Sequence, residues 1–342
     1  MRNQIVQEDL REIVQEDISW ELFRDSTILI TGANGILPSY MVDTLMYLNE
    51  SREYNIHVVG VVRHIEKARR RFLENDKLEF LEQDVCLPID YKGNIDYIIH
   101  AAGQASPKFY GKDPVGTIEG HILGTDNCLR LAVEKDVKGV LYFSSCDVYG
   151  TVYEDRVIDE NYIGKIDSLS GRSCYPVGKL AGESLCIAYE KQYDVPVKIM
   201  RIAHTYGPFT PLDDGRVFAD FVGNILRNED ISLHSDGSAE RPMLYITDAV
   251  RAYFRILLQG KSGEAYNIVS EEQISILGLA KLLIGLYPEK ELKVNFNKRT
   301  ENGYLESKVK NNRYSSEKLK KLGWMQKYSI HDGFKRMIES YK

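Results

Sequence analysis

The sequence predicts an α/β fold, namely a doubly wound parallel sheet with a smaller C-terminal α/β lobe. Two observations support this prediction. Between residues 26 and 206, short and nearly continuous apolar runs alternate with helical patterns, as they do in parallel sheets that helices cover on both faces. From residue 207 onward, shorter elements are interrupted by prolines, glycines and charged residues. A chain of 342 residues is long enough for one large domain or two smaller, closely joined ones.

These patterns divide the chain into three parts. Residues 1–25 are predicted to be an N-terminal helical extension, residues 26–206 the sheet domain, and residues 207–342 mostly a substrate-binding lobe over the ends of the strands. The extension carries one apolar helical face, which we expect to pack on the domain or on a partner subunit. The residues of this face are Val6, Leu10, Ile13, Val14 and Ile18.

The strands of the sheet domain are predicted from β-rich apolar runs. In chain order, the runs lie in STILITGANG, NIHVVGVVR, KLEFLEQDV, IDYIIHAAG, VKGVLYFSS and VPVKIMRIAHTYGP. Helical patterns separate them, among them TDNCLRLAVEKD and GKLAGESLCIAYEKQY.

Charge and cysteine usage exclude several classes of function. A net charge of −6 disfavours a general nucleic-acid surface. No apolar stretch approaches the length of a bilayer span, and the acidic N-terminus lacks an apolar signal core. Five cysteines without a CxxC pair indicate reduced thiols, with neither a disulfide framework nor a metal site. We therefore expect a cytoplasmic protein that binds neither nucleic acid nor membrane.

The segment ILITGANGILPSY predicts a dinucleotide site. Glycines between a buried strand and a helix let the backbone approach a pyrophosphate, which the helix N-terminus then binds. We expect Gly32, Asn34, Gly35 and Ile36 to form this turn. Pro38 occupies the third small position, and proline is tolerated in a first helical turn. The sheet domain is thus predicted to be of the Rossmann type.

Arg63 bears on the identity of the dinucleotide. It follows the second strand, where an acidic residue would bind the 2′-hydroxyl of NAD. An arginine there can pair with a 2′-phosphate, which favours NADP. It could equally be a solvated basic residue, because Lys67, Arg69, Arg70 and Arg71 follow. We expect NAD, with NADP as the alternative.

Catalytic chemistry is predicted from SSCDVYG and YPVGK together. Tyr175 and Lys179 are one helical turn apart, so their side chains share a face. A nearby ammonium lowers the pKa of a phenol, which would make Tyr175 a base near neutral pH. Ser145 ends the preceding strand and is the expected hydrogen-bond partner of the reacting oxygen.

In combination, these motifs resemble the extended, sugar-nucleotide-modifying branch of the short-chain dehydrogenase/reductase superfamily, the NAD-dependent epimerase/dehydratase family. RSCYPVGKLAGESLCIAY and DGRVFADFVGNIL are similar to segments of UDP-glucuronate decarboxylases. The resemblance implies catalytic roles for Ser145, Tyr175 and Lys179, with Asp147 in place of a glutamate. Asp147 could instead be a structural carboxylate that binds the backbone at the end of the strand. The resemblance implies cofactor contacts from Asp84 and Val85, and from Ala101, Ala102 and Gly103 of HAAG. It also implies a homodimer through helices at about 114–134 and 175–193.

The substrate pocket is predicted from the same resemblance. Arg241 takes the place of a functional arginine, and Arg216 and Arg313 are candidate ligands of a diphosphate or carboxylate, although each could equally form a surface ion pair. The remaining candidates are Ser106 of HAAGQASP and His204 of AHTYGP.

Four residues depart from the family pattern: His121 and His204 replace asparagines, Phe209 replaces an arginine of the decarboxylases, and Cys146 replaces the acid of the 4,6-dehydratases. A thiol, with a pKa of about 8.5, is a poor acid for water departure, so dehydration is disfavoured. Cys146 is expected to be a small buried residue.

The function predicted is that of a nucleotide-sugar enzyme which transiently oxidises the C4 hydroxyl with bound NAD(P). Decarboxylation of a UDP-uronate is the leading reaction. The alternatives are C4 epimerisation, the disfavoured 4,6-dehydration and, from another class, a non-catalytic cofactor-binding scaffold.

Overall fold

Seven parallel strands form the central sheet, in the order β3-β2-β1-β4-β5-β7-β11. They are seen in a computed structural model, which describes residues 3–106, 111–152, 156–297 and 312–342. The strand order reverses between β1 and β4, which is where doubly wound sheets bind dinucleotides. The strands are β1 Thr27–Thr31, β2 His57–Val62, β3 Leu78–Glu82, β4 Tyr97–His100, β5 Gly139–Ser145, β7 Val197–Ile202 and β11 Glu264–Ile268.

The apolar runs predicted this sheet correctly because both of its faces are covered. In β1, Ile28 and Ile30 join the hydrophobic cluster on one face, whereas Leu29 joins the cluster on the other, and all three are fully buried. Successive strand side chains point to opposite faces, so a sheet covered twice requires apolar residues at every position.

Helices cover the central sheet, and further helices lie near the N-terminus and the C-terminus of the chain. No helix among the described residues has both the length and the apolar character needed to cross a membrane. The helices are α1 Gln4–Val14, α2 Ile36–Arg52, α3 Ile65–Arg71, α4 Pro114–Lys135, α5 Cys174–Tyr193, α6 Val217–Arg227, α7 Ile246–Gln259, α8 Ile276–Gly285, α9 Glu317–Lys320 and α10 Ile330–Glu339.

The N-terminal helix α1 packs on the chain's own domain. Val6, Leu10, Ile13 and Val14 are buried on one face of α1, as predicted, and Ile18 is buried after the end of the helix. Asp9, on the same helix, is fully buried and accepts hydrogen bonds from Tyr40 at 3.2 Å and Tyr245 at 2.8 Å. Arg336 of α10 donates to its other oxygen at 2.8 Å. One carboxylate thus ties both ends of the chain to the core.

Small sheets build the second part of the chain, whose boundary at residue 207 remains a prediction. Strand β11, from beyond that boundary, pairs in parallel with β7 and completes the central sheet. The short strands are β6 Val157–Ile158 with β14 Arg313–Tyr314, β9 Ile231–Leu233 with β13 Val294–Phe296, and β8 His204–Tyr206 with β10 Glu240–Tyr245 and β12 Gln273–Ser275.

Candidate active site

The turn after β1 has the backbone geometry that a dinucleotide requires. Gly32 has φ of +66°, and a Cβ on it would lie 3.0 Å from the Cα of Ala102, so a side chain there would be strained. Gly35 precedes the first turn of α2, which begins at Ile36. Pro38 lies in that first turn and the helix continues to Arg52, as the sequence analysis expected.

Thr31 fixes the ends of β1 and β4 to each other. Its hydroxyl oxygen accepts from the backbone N–H groups of Ala101 at 3.2 Å and Ala102 at 3.1 Å. It also lies 2.8 Å from Nδ1 of His100. Gly103 follows with φ of +139°. These bonds give a rigid crevice at the point where the strand order reverses, and the open glycine turn facing it fits a pyrophosphate.

The other predicted cofactor residues follow the neighbouring strands. Arg63 is exposed directly after β2, and Asp84 is exposed after β3. Asp84 accepts a hydrogen bond from the backbone of Cys86 at 2.9 Å, which shapes this turn. Val85 is buried, and its carbonyl accepts from Asn127 of α4 at 2.8 Å. These residues border the crevice, and their contacts with a cofactor remain predictions.

Ser145 and Tyr175 come together as the sequence predicted. Ser145 is the last residue of β5, and its side chain is hydrogen-bonded to the phenol of Tyr175 on α5. Both residues are buried. The Ser145 hydroxyl also accepts from the backbone N–H of Asp147 at 3.2 Å, which holds the turn Cys146–Tyr149 against the end of the strand.

Lys179 lies one turn beyond Tyr175 on α5 and is 4% exposed. Its ammonium donates to the backbone carbonyl of Phe143 at 2.5 Å. Burial lowers the pKa of Lys179 to about 7, although the nearby Glu183 carboxylate opposes the change.

The expected acidification of Tyr175 is wrong for the free protein. Burial raises the pKa of Tyr175, and the negative charge of Asp147 raises it further, whereas the Ser145 hydrogen bond and the Arg216 charge lower it. Tyr175 and Lys179 do lie one turn apart on the same helix, as predicted. The Lys179 ammonium, however, donates to a backbone carbonyl and is largely desolvated, so it does not bring the pKa of the phenol below its ordinary value. The phenol is therefore protonated at neutral pH.

Arginines converge on the open side of this centre. The Nη2 atom of Arg172 lies 3.9 Å from a carboxylate oxygen of Asp147. Burial raises the pKa of Asp147, and the charges of Arg172 and Arg241 oppose that change. The Asp147 side chain keeps 44% of its surface exposed, so solvent and ligands can reach it.

His204 lies beside the same arginines. Desolvation in the cleft lowers its pKa to about 3, and the charges of Arg241, Arg216 and Arg172 lower it in the same direction. The imidazole is consequently neutral at physiological pH, which removes the titration that the sequence left open. The charges of Arg172, Arg216 and Arg241 thus act on His204, Asp147 and Tyr175, which form one polar cluster with them.

The loop after β8 contacts the segment that follows β4. Arg216 forms an ion pair with Asp214 at 2.6 Å, and Ser106 donates to the Asp214 carbonyl at 2.7 Å. Arg241 donates to the carbonyl of Glu240 at 2.7 Å. Arg313 is exposed and lines a neighbouring cavity of 500 Å³, next to Tyr314.

The residues that depart from the family pattern have separate structural roles. His121 is buried, its ring lies 5.3 Å from the Tyr175 ring, and its pKa is lowered to about 2, chiefly by burial. Cys146 is 4% exposed and donates to the Arg201 carbonyl at 3.3 Å, as expected of a small buried residue. Phe209 has φ of +65° and stacks on Arg71, whose Cζ lies 3.9 Å from the ring centre.

Arg172, like Thr31 and His100 of the crevice, is a site residue that the sequence analysis did not identify. It lies in the short helical turn Gly171–Ser173, three residues before Tyr175. The signal was its place in RSCYPVGK, directly before α5, which carries Tyr175 and Lys179. Its contact with Asp147 depends on how β5 and α5 pack, which the spacing of the residues does not give.

Comparisons with known proteins agree with this geometry. A family model described as the NAD dependent epimerase/dehydratase family matches residues 28–269. UDP-glucuronic acid decarboxylase 6 from Arabidopsis thaliana is 31% identical over 322 residues, which cover 92% of this chain and 88% of the relative. UDP-glucuronic acid decarboxylase 3 from the same plant is also 31% identical over 322 residues, covering 92% and 89%.

A similar fold is found in solved structures. UDP-glucose 4-epimerase from Thermotoga maritima, with UDP-glucose, has a TM-score of 0.78 at 24% identity over 92% of this chain and 98% of that chain. UDP-glucuronic acid 4-epimerase from Bacillus cereus, in complex with UDP-glucuronic acid and NAD, has a TM-score of 0.75 at 24% identity with the same coverage. The glycine turn, the serine–tyrosine–lysine centre and these matches together place the chain in the NAD dependent epimerase/dehydratase family.

Proposed function

We propose that this protein is an NAD-dependent decarboxylase of UDP-glucuronate, which it converts to UDP-xylose and carbon dioxide. The observation that carries the proposal is the hydrogen bond between Ser145 and Tyr175, close to the charges of Arg172, Arg216 and Arg241. The curated relatives, named UDP-glucuronic acid decarboxylases and about a third identical over most of the chain, support the choice of substrate.

The dinucleotide fits the crevice between β1 and β4. The turn from Gly32 to Gly35 and the start of α2 would hold the pyrophosphate. Exposed Arg63 leaves space for NADP, but the matching family and the Bacillus cereus structure favour NAD. When bound, NAD accepts a hydride from C4 of the sugar and returns it at the end of the cycle.

Tyr175 moves the proton at O4. It takes the hydroxyl proton as C4 is oxidised and gives it back as C4 is reduced, while Ser145 hydrogen-bonds the same oxygen. Because the phenol is protonated in the free protein, the base form arises within the complex, where positive charge beside it favours the phenolate. Lys179, held on the Phe143 carbonyl at 2.5 Å, stands one turn away to bind the ribose and supply such charge.

Asp147 supplies the proton that decarboxylation requires. Oxidation at C4 makes the C6 carboxylate part of a β-keto acid, so the C5–C6 bond breaks, carbon dioxide leaves and the electron pair remains as an enolate. A proton then adds to C5, and Asp147 lies on the pocket side of the centre. A substrate carboxylate nearby raises the pKa of Asp147 further, because two like charges disfavour ionisation. Solvent reprotonates Asp147 after each cycle.

The arginines bind the negative charges of the substrate. The diphosphate and the uronate carboxylate need cationic partners, and we assign this role to Arg216 and Arg241, whose charges act on Tyr175, Asp147 and His204. Arg313, Ser106 and neutral His204 complete the set of candidate substrate contacts. Phe209, in place of the arginine of other decarboxylases, packs on Arg71 and Tyr40 and supplies no cation for the carboxylate.

The second candidate is C4 epimerisation of the same substrate, because the Bacillus cereus neighbour is a UDP-glucuronic acid 4-epimerase. It needs the same tyrosine and lysine but retains the carboxylate. A non-catalytic scaffold is the third. Dehydration remains disfavoured because burial raises the pKa of the Cys146 thiol, which makes it a still weaker acid.

Incubation of the purified protein with UDP-glucuronate and NAD tests the proposal. We expect release of carbon dioxide and a UDP-pentose in mass spectrometry, with both lost in Tyr175→Phe. A UDP-hexuronate epimer without carbon dioxide would support the second candidate. No turnover in any of these assays, with cofactor binding unchanged in Tyr175→Phe, would support the scaffold.

We further propose a cytoplasmic homodimer. Helices α4 and α5 pack side by side and present exposed apolar side chains, namely Leu123, Val133 and Leu180. Free cysteines, three of them buried, suit a reducing compartment. Light scattering tests the dimer: twice the monomer mass is expected, and a monomer would contradict it.

A further inference from the structure

Arg172 and Asp147 approach each other from two elements that both end at the reaction centre. Asp147 lies two residues after Ser145, in the turn that follows β5. Arg172 lies three residues before Tyr175, in the turn that precedes α5. The Nη2 to Oδ2 distance is 3.9 Å, so the two groups form an ion pair without a hydrogen bond. Arg172 therefore influences Asp147 through its charge.

We propose that Arg172 is a positioning residue for the proton transfer at C5, acting through Asp147: its guanidinium keeps that carboxylate facing the pocket and able to release its proton. The inference rests on the proposed function, in which Asp147 is the proton donor. A donor buried without a cation would hold its proton too tightly. The positive charge of Arg172 weakens the hold of Asp147 on its proton. Asp147 is then still protonated beside the substrate carboxylate but releases the proton to the enolate.

The surroundings of Asp147 single out the arginines as the charges that act on it. The phenols and the thiol near it are neutral at physiological pH, because burial raises the pKa of each. The titratable and charged groups that face Asp147 among the described residues are Arg172 before α5, Tyr175 on α5, Arg241 on β10, Tyr314 on β14 and Cys146 on its own turn. Arg172 has the larger effect of the two cations.

The direction of the effect follows from the charges. Removal of the Arg172 cation raises the pKa of Asp147, because its positive charge lowers that pKa against the effect of burial. As an acid, Asp147 is active only while it is protonated, so activity falls as the pH rises through its pKa. Arg172→Gln should therefore move the alkaline limb of the kcat profile to higher pH.

The experiment compares wild type with Arg172→Gln, Arg172→Lys and the control Arg227→Gln. Arg227 is an exposed arginine of α6 that pairs with Glu229 at 2.7 Å, away from the pocket. The kcat for carbon dioxide release is measured against pH at saturating UDP-glucuronate. In parallel, NMR of carboxyl-labelled aspartate follows the titration of Asp147, which is assigned by its loss in Asp147→Asn. Circular dichroism confirms that each variant is folded.

We expect the Asp147 titration midpoint and the alkaline limb to rise together in Arg172→Gln, and to remain near the wild-type values in Arg172→Lys and Arg227→Gln. In an Asp147→Asn background, Arg172→Gln should cause no further shift. An unchanged midpoint in Arg172→Gln, or an equal shift in Arg172→Lys, would overturn the inference while leaving the decarboxylase activity intact. Wild-type protein that releases no carbon dioxide would instead overturn the proposed function, whatever the NMR titration shows.

Discussion

The attachment of the N-terminal helix allows a quantitative prediction, because one buried carboxylate ties α1 to the core. Asp9→Ala removes the acceptor of the Tyr40 and Tyr245 hydroxyls and one of the anionic partners of Arg336. Loss of one member of a buried pair typically costs about 3–5 kcal/mol. Arg336 keeps its contact with Glu8, so we expect the lower end, a loss of about 3 kcal/mol in the free energy of unfolding.

Glu8→Ala is the matched control, because Glu8 binds the same arginine at 3.1 Å but its side chain is 42% exposed. Exposed ion pairs contribute about 0–1 kcal/mol. Urea unfolding followed by circular dichroism should therefore separate the two variants by about 2 kcal/mol. Values for Asp9→Ala and Glu8→Ala that agree within about 0.5 kcal/mol would refute the reasoning that burial makes Asp9 the anchor of α1.

Three further predictions concern the crevice and the centre. In Gly32→Val, a residue with a side chain must adopt positive φ and its Cβ meets Ala102. NAD affinity measured by calorimetry should therefore fall at least about tenfold. Unchanged affinity would argue against this turn as the pyrophosphate site. Thr31→Val removes the acceptor of the backbone N–H groups of Ala101 and Ala102. The free energy of unfolding in urea titrations should therefore fall by about 1–3 kcal/mol. An unchanged free energy would mean that other groups accept these two hydrogen bonds. Lys179 has a pKa lowered to about 7 in the folded protein, so the unfolded chain holds this proton more tightly. From pH 7 to 9, the free energy of unfolding of the wild type should therefore rise relative to that of Lys179→Met. A difference between the two proteins that stays constant over this range would contradict the lowered pKa.

The central sheet could be predicted from the sequence because burial on both faces leaves a strong pattern. Each predicted run of residues 26–206 became a strand, since both Ile28 and its neighbour Leu29 face a core. The segment that forms β11 was predicted only as one of the shorter elements that follow residue 207. Its pairing with β7 joins residues more than sixty positions apart, and no local pattern specifies that contact.

The candidate site was predicted where its geometry is local. Tyr175 and Lys179 share a helix face by spacing alone, and Ser145 ends the neighbouring strand. Two features were not accessible in this way. The pKa of Tyr175 depends on how deeply α5 is buried, and the ion pair between Arg172 and Asp147 depends on how two turns approach each other. Both arise from tertiary packing, which residue spacing does not encode.

The most direct test of the central claim is a rapid-mixing measurement of nicotinamide absorbance when NAD-loaded protein meets UDP-glucuronate. If Tyr175 takes the O4 proton as the cofactor accepts the C4 hydride, wild-type protein should show transient formation of reduced nicotinamide, and Tyr175→Phe should show little or none. Reduced nicotinamide that forms equally fast in both proteins, or in neither, would contradict the assignment of Tyr175 as the base of this site.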